Sequence, residues 1–226
     1  MKERRIEKGR YTLTCLIPRR EPEEIIYLHS PSADLRLPED LLEEAGAVCV
    51  SVSGEDWNGD LTPWPARKVF ARGEDFAGRG EEYLAELTGE LMPLAEKELG
   101  AEGLRRGIAG VSLSGLFAVY AACRTDLFKK ICSISGSLWY DGFLDYLKSH
   151  PASSAVRRAY FSVGSREKNT RNPRMSRVEE CTAKAEALLR EQGVETCFEI
   201  NPGSHFADGE ERLRKGLGFI LSAKKL

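Results

Sequence analysis

The sequence predicts one α/β domain, built on a mostly parallel sheet with helices on both faces and an antiparallel N-terminal entry. Strand-like and helix-like patterns alternate from about residue 24 to the end of the chain, as repeated strand–helix units do. The run RYTLTCLIPRREPEEIIYL holds two strands joined by only a short polar connection, which predicts that they pair antiparallel. No repeat, low-complexity tract or long linker divides the 226 residues, so a single domain is expected over residues 1–226. A domain of this size buries roughly 70–75% of its unfolded surface and needs no staples.

The elements follow in order. MKERRIEKG is positively charged but has no apolar core, so it is not read as a secretory signal. Short apolar runs bounded by polar or glycine-rich turns mark strands at RYTLTCLI (10–17), EIIYLHS (24–30), AVCVSVS (47–53), GIAGVS (107–112), KICSISGS (130–137), RAYFSVGS (158–165) and ETCFEINPG (195–203). Apolar residues at helical spacing mark helices at PEDLLEEAG (38–46), GEEYLAELTGELMPLAEKELG (80–100), SGLFAVYAACR (114–124), GFLDYLKSH (142–150), VEECTAKAEALLREQG (178–193) and GEERLRKGLGFILSAKK (209–225). The connection between the fifth and sixth of these strands is short, which leaves room for little or no lid.

Composition excludes several classes of function. Lys+Arg is 33 against Asp+Glu 35, a formal net charge of -2, and the charges are scattered. No nucleic-acid partner is expected, and MKERR and IPRR read as solvated faces. No apolar run approaches the roughly 18 residues that a membrane helix needs. The six cysteines form no CxxC and have no histidine at metal-ligand spacing. Cys15, Cys49, Cys132 and Cys197 lie in strand-like runs, where a free cysteine packs as a small hydrophobe. A reduced, cytoplasmic protein without structural zinc is expected.

In such sheets function sits in the loops beyond the C-terminal strand ends. The sharpest of these is GVSLSG (110–115), where a strand becomes a helix. A nucleophile elbow places a serine on a strained turn and requires small residues two before and two after it. Ser112 has Gly110 and Ser114 in those places, whereas Ser114 would have Ser112 and a crowding Leu116. A dinucleotide loop would need a glycine at 112 and an acid at the end of the next strand, and SISGSL has none. An ordinary strand-to-helix turn is the remaining alternative. Downstream, Glu167 follows the strand RAYFSVGS and His205 follows the last strand, in the order serine, acid, base. Asp141 is the alternative acid, and Asp208 reads as a helix cap. His29 reads as structural, and His150 as a surface residue. The oxyanion hole takes the Leu113 N–H and a second N–H from HSPSAD, where Pro31 has none to give; of Ser30 and Ser32, Ser32 is preferred. Trp57, Trp64, Trp139 and Tyr140 fall in loops around the elbow and either line a substrate pocket or cap the sheet. Arg166, Arg171 and Arg174 mark a solvated loop or a receptor for an anionic substrate.

GVSLSGLFAVYAACRTDLFKKICSISGSLWYDGF, VGSREKNTRNPRM and NPGSHF resemble the putative esterase family of α/β-hydrolases, which includes the enterochelin (siderophore) esterases, the antigen 85 mycolyltransferases and esterase D. The likeness extends through DLTPWPA and GEDFAGRGEEYL and covers most of residues 24–206. It implies an α/β-hydrolase fold, with Ser112 as nucleophile, His205 as base and Glu167 as the acid. Ser114 departs from the family's glycine. The expected function is a carboxylic-ester hydrolase working through an acyl-enzyme on a small-molecule ester, siderophore-like or otherwise bulky, with no metal and no organic cofactor. The alternatives are an acyltransferase with the same triad and a non-catalytic binding module on the same fold.

Overall fold

The computed structural model describes residues 1–31, 35–70 and 73–222. Its strands are β1 (Lys2–Lys8), β2 (Tyr11–Ile17), β3 (Glu24–His29), β4 (Ala47–Ser53), β5 (Arg105–Val111), β6 (Phe128–Ile134), β7 (Arg158–Gly164) and β8 (Glu195–Asn201). The helices are α1 (Glu39–Ala45), α2 (Gly80–Glu86), α3 (Met92–Leu99), α4 (Leu113–Arg124), α5 (Phe143–Ser149), α6 (Val178–Glu191) and α7 (Gly209–Leu221). The strands form one 8-stranded sheet in the order β1-β2-β4-β3-β5-β6-β7-β8. From β4 to β8 all pairings are parallel, and β2 runs antiparallel to both β1 and β4. This is the α/β-hydrolase architecture.

Two expectations are corrected. The strands β2 and β3 do not pair, because β4 lies between them. Every residue of β3 is buried, so β3 needs a neighbour on each side, and β4 and β5 fill those places. The N-terminal segment is solvated as expected, but it also forms a strand that the sequence did not mark: β1 has the burial pattern of an edge, with only Ile6 buried. Gly9, at φ +58, turns it back onto β2, a conformation that glycine adopts without steric cost.

The sheet is covered on both faces. α1 and α7 pack over Ile26, Leu28, Cys49, Ala109 and Cys132, while residues of α2 to α6 pack over Ile25, Tyr27, Val50, Ile108 and Phe161. The long helix expected over residues 80–100 is interrupted by a π-helical turn at Leu87–Leu91. Pro93, with no N–H and a ring that clashes one turn back, accounts for the interruption. At the N-terminal strand ends lies a row of part-buried charges, in which Glu24 meets Arg105 and Lys130 and Arg158 meets Glu195. The candidate site occupies the opposite edge. Only α5, 7 residues long, stands between β6 and β7 as regular structure, and no helix among the described residues is long and apolar enough to cross a membrane.

Candidate active site

Ser112 joins β5 to α4 at φ +63 and ψ −122, a conformation that costs a residue with a side chain on the order of 1–3 kcal/mol. The surrounding atoms show why the flanks must be small. A side chain at Gly110 would meet the Ser114 carbonyl oxygen at 2.2 Å, and one at Gly115 would meet the Gly136 Cα at 3.0 Å. Ser114 is 1% exposed. Its hydroxyl accepts from the Val111 N–H at 2.8 Å and lies 2.7 Å from the His29 carbonyl, to which it donates. That hydroxyl pins the turn, whereas the hydroxyl of the part-buried Ser112 makes no hydrogen bond among the described residues. The Ser112 backbone is held by Ile134 and Ser137, at 3.0 Å each.

Glu167 and His205 are brought together. The His205 Nδ1 lies 2.7 Å from Glu167 Oε2, so its Nε2 is the nitrogen turned to other partners. The Glu167 side chain is 3% exposed. Its Oε1 accepts from the Ser135 hydroxyl at 2.7 Å, from the Gly164 N–H and from Arg212 Nη1 at 3.1 Å. Burial raises the Glu167 carboxyl; the hydrogen bond and charge of His205, with the Ser135 and Gly164 donors, outweigh it and hold the carboxyl below its ordinary value. The acid is therefore ionised at neutral pH. Asp141 is elsewhere: it is exposed and lies 2.9 Å from Arg174 Nε. Asp208 sits at the N-cap position of α7 with no side-chain cap hydrogen bond.

Arg212 and Ser135 were not picked out by sequence. Ser135 follows β6 at φ +48. Arg212 occupies the buried face of α7 with Leu213, Gly216, Leu217 and Ile220, and an arginine within that apolar periodicity was the available signal.

The remaining expected site residues divide by role. The Leu113 N–H opens α4, and the first N–H groups of a helix have no intrahelical acceptor. Ser32 lies outside the described residues. His29 is fully buried, its Nε2 2.7 Å from the Tyr83 hydroxyl, and burial pushes its pKa down to about 3. His150 is exposed and stacks on Tyr146. Tyr140 is 2% exposed and donates its hydroxyl to the Trp64 carbonyl, while Trp64 Nε1 donates to the Asp141 carbonyl at 2.9 Å. These two aromatics thus tie the 53–66 loop to the turn before α5. Trp139, under the Arg174 guanidinium, lines a cavity of about 630 Å³ between α5 and α6. Trp57 lines another of about 740 Å³ with Ser30, Pro31 and Glu55. Ser112, Glu167 and His205 line neither.

Solved structures share this fold. An IroE-like serine hydrolase from Shewanella oneidensis superposes with a TM-score of 0.77 at 16% identity, covering 96% of this chain and 78% of that one. The siderophore hydrolase EstA from Aspergillus nidulans gives 0.76 at 17% identity, over 97% and 93%. The fold is that of an α/β-hydrolase. A family model described as "Putative esterase" matches residues 35–207, and the chain belongs to that family: it is an esterase-type hydrolase. It is also 30% identical over 187 residues to the "Uncharacterized protein YbbA" of Bacillus subtilis (strain 168), which spans 80% of this chain and 72% of that protein.

Proposed function

We propose that the chain hydrolyses carboxylic esters through an acyl-enzyme on Ser112. The observation that carries this reading is the strained backbone of Ser112 at the head of α4, since such strain persists where surrounding structure enforces it and gathers at functional sites. The 2.7 Å contact between Glu167 and His205 supports it from the far side. Ser112 Oγ attacks the ester carbonyl carbon as His205 Nε2 takes its proton, and the oxygen–carbon bond forms. The Leu113 N–H and an amide of the 30–32 loop hold the oxyanion. The tetrahedral adduct collapses, its ester C–O bond breaks, and His205 returns the proton to the departing alcohol. Water then repeats the sequence against the acyl-enzyme. Glu167 holds the histidine tautomer and balances the imidazolium. Two of the neighbouring folds belong to proteins named as siderophore hydrolases, so siderophore-like or otherwise bulky esters are the first class to test. The absence of regular structure beyond α5 between β6 and β7 agrees with an open site.

Hydrolysis of a minimal aryl acetate tests the nucleophile. Ser112→Ala is expected to lower kcat by about 10⁶-fold, as loss of a triad serine does. A variant retaining a tenth of wild-type turnover would remove Ser112 from the mechanism.

A further inference from the structure

Arg212 is buried to 1% exposure, and its guanidinium faces two parts of the candidate site at once. Nη1 donates to Ser135 Oγ at 3.0 Å and lies 3.1 Å from Glu167 Oε1, while Nη2 donates to the carbonyls of Pro202 at 3.1 Å and Ser204 at 2.9 Å. Nε has no partner among the described residues. One planar fork thus holds the carboxylate with one nitrogen, and with the other the backbone that leads into His205. The sequence makes room for it. A side chain at Gly164 would meet Arg212 Nη2 at 2.7 Å and the Ser204 carbonyl at 2.9 Å. Ser135 completes the grip, donating to Glu167 Oε1 from a backbone at φ +48. With Oε1 taken by Ser135, Gly164 and Arg212, Oε2 is the oxygen left to face His205.

We infer that Arg212 and Ser135 are positioning residues, which fix the Glu167 carboxylate and the His205 loop relative to each other. The inference rests on the proposed role of Glu167 as the acid of the triad. Arginine suits this place because its rigid fork serves acceptors on two sides, which a lysine ammonium on a flexible stem does not. The Arg212 charge also offsets the carboxylate charge within a buried site, where either ion alone is costly.

The test is a double-mutant cycle on a minimal aryl ester, reading kcat and KM separately, with near-ultraviolet circular dichroism to confirm folding. Arg212→Lys keeps the charge and loses the fork. It is expected to lower kcat about a hundredfold with little change in KM, the size of effect that small misplacement of a reacting group brings. In a Glu167→Gln background the same substitution should cost clearly less, about tenfold, because the carboxylate side of its grip is already disabled and only the hold on the 202–204 backbone is lost. An equal loss in both backgrounds would make Arg212 a purely structural residue and overturn the inference while leaving Glu167 in place. Wild-type activity in Glu167→Gln alone would instead sink the acid assignment, and the positioning role with it. Should Arg212→Lys not fold, Ser135→Gly decides. Glycine tolerates the positive φ, so only the hydroxyl is lost, and kcat is expected to fall about tenfold, as for one hydrogen bond to a charged group. Unchanged kcat there would also overturn the inference.

Discussion

Ser112 and Ser114 are two positions apart, and the structure gives them different work. The Ser114 hydroxyl is buried and accepts from Val111 while donating to the His29 carbonyl, so it braces the turn that strains Ser112. His29 belongs to the same brace. Its ordinary pKa is 6.5, and burial lowers it to about 3, so the folded protein keeps it neutral where the unfolded chain takes up a proton. The stabilising effect of the neutral form is therefore complete above pH 6.5 and is lost as pH falls toward 3. Between pH 7 and 5 this linkage removes about 2 kcal/mol of stability. Glu167 acts in the same direction at lower pH, since a depressed carboxyl loses its contribution as it protonates. Urea unfolding at pH 7 and 5 is expected to show a smaller pH-dependent loss in His29→Gln than in wild type, by about 2 kcal/mol. Equal losses would mean that His29 is protonated in the folded state.

At the scale of elements, the loops after the strands hold the candidate site residues, and the aromatics in them divide into two groups. Trp64 packs against Tyr140 and Tyr146 and bonds to the Asp141 carbonyl, so it joins two loops rather than lining a cavity wall. Trp139 lines the cavity between α5 and α6. Trp64→Ala is expected to cost about 3 kcal/mol of stability, as a large aromatic truncated in a packed cluster does. Trp139→Ala is expected to cost less stability, and to change acyl-chain preference if the cavity between α5 and α6 receives part of the substrate. Denaturant unfolding paired with a chain-length series separates the two, and a selectivity change confined to Trp64→Ala would reverse the assignment. Pro93 acts at this scale as well. It breaks the 80–100 helix into two segments joined by a π-helical turn, which apolar periodicity alone did not predict because hydrophobic spacing on either side is nearly continuous.

Across the whole molecule, the sheet separates two charge systems, with Glu24, Lys130 and Arg158 at one edge and Glu167, Arg212 and His205 at the other. The parallel strands were legible because each is a short apolar run between turn residues. β1 was not, since its KERRIEK sequence exposes charge on both faces and buries only Ile6. The β2–β3 order was misread because a short connection favours adjacent strands, and only the full burial of β3 reveals that it takes a neighbour on each side. In the candidate site, Ser112, Glu167 and His205 stood out because glycine-rich strand ends mark such loops. Arg212 did not, because a helix arginine reads as solvated until its place on the buried face is noticed.

The central claim is that Ser112 is the nucleophile, and covalent capture tests it most directly. The protein is treated with a fluorophosphonate, digested, and the modified peptide sequenced by mass spectrometry. One adduct is expected, on Ser112, absent from Ser112→Ala and strongly slowed in a variant lacking the His205 imidazole. An adduct on Ser114, or full labelling of Ser112→Ala, would contradict the account.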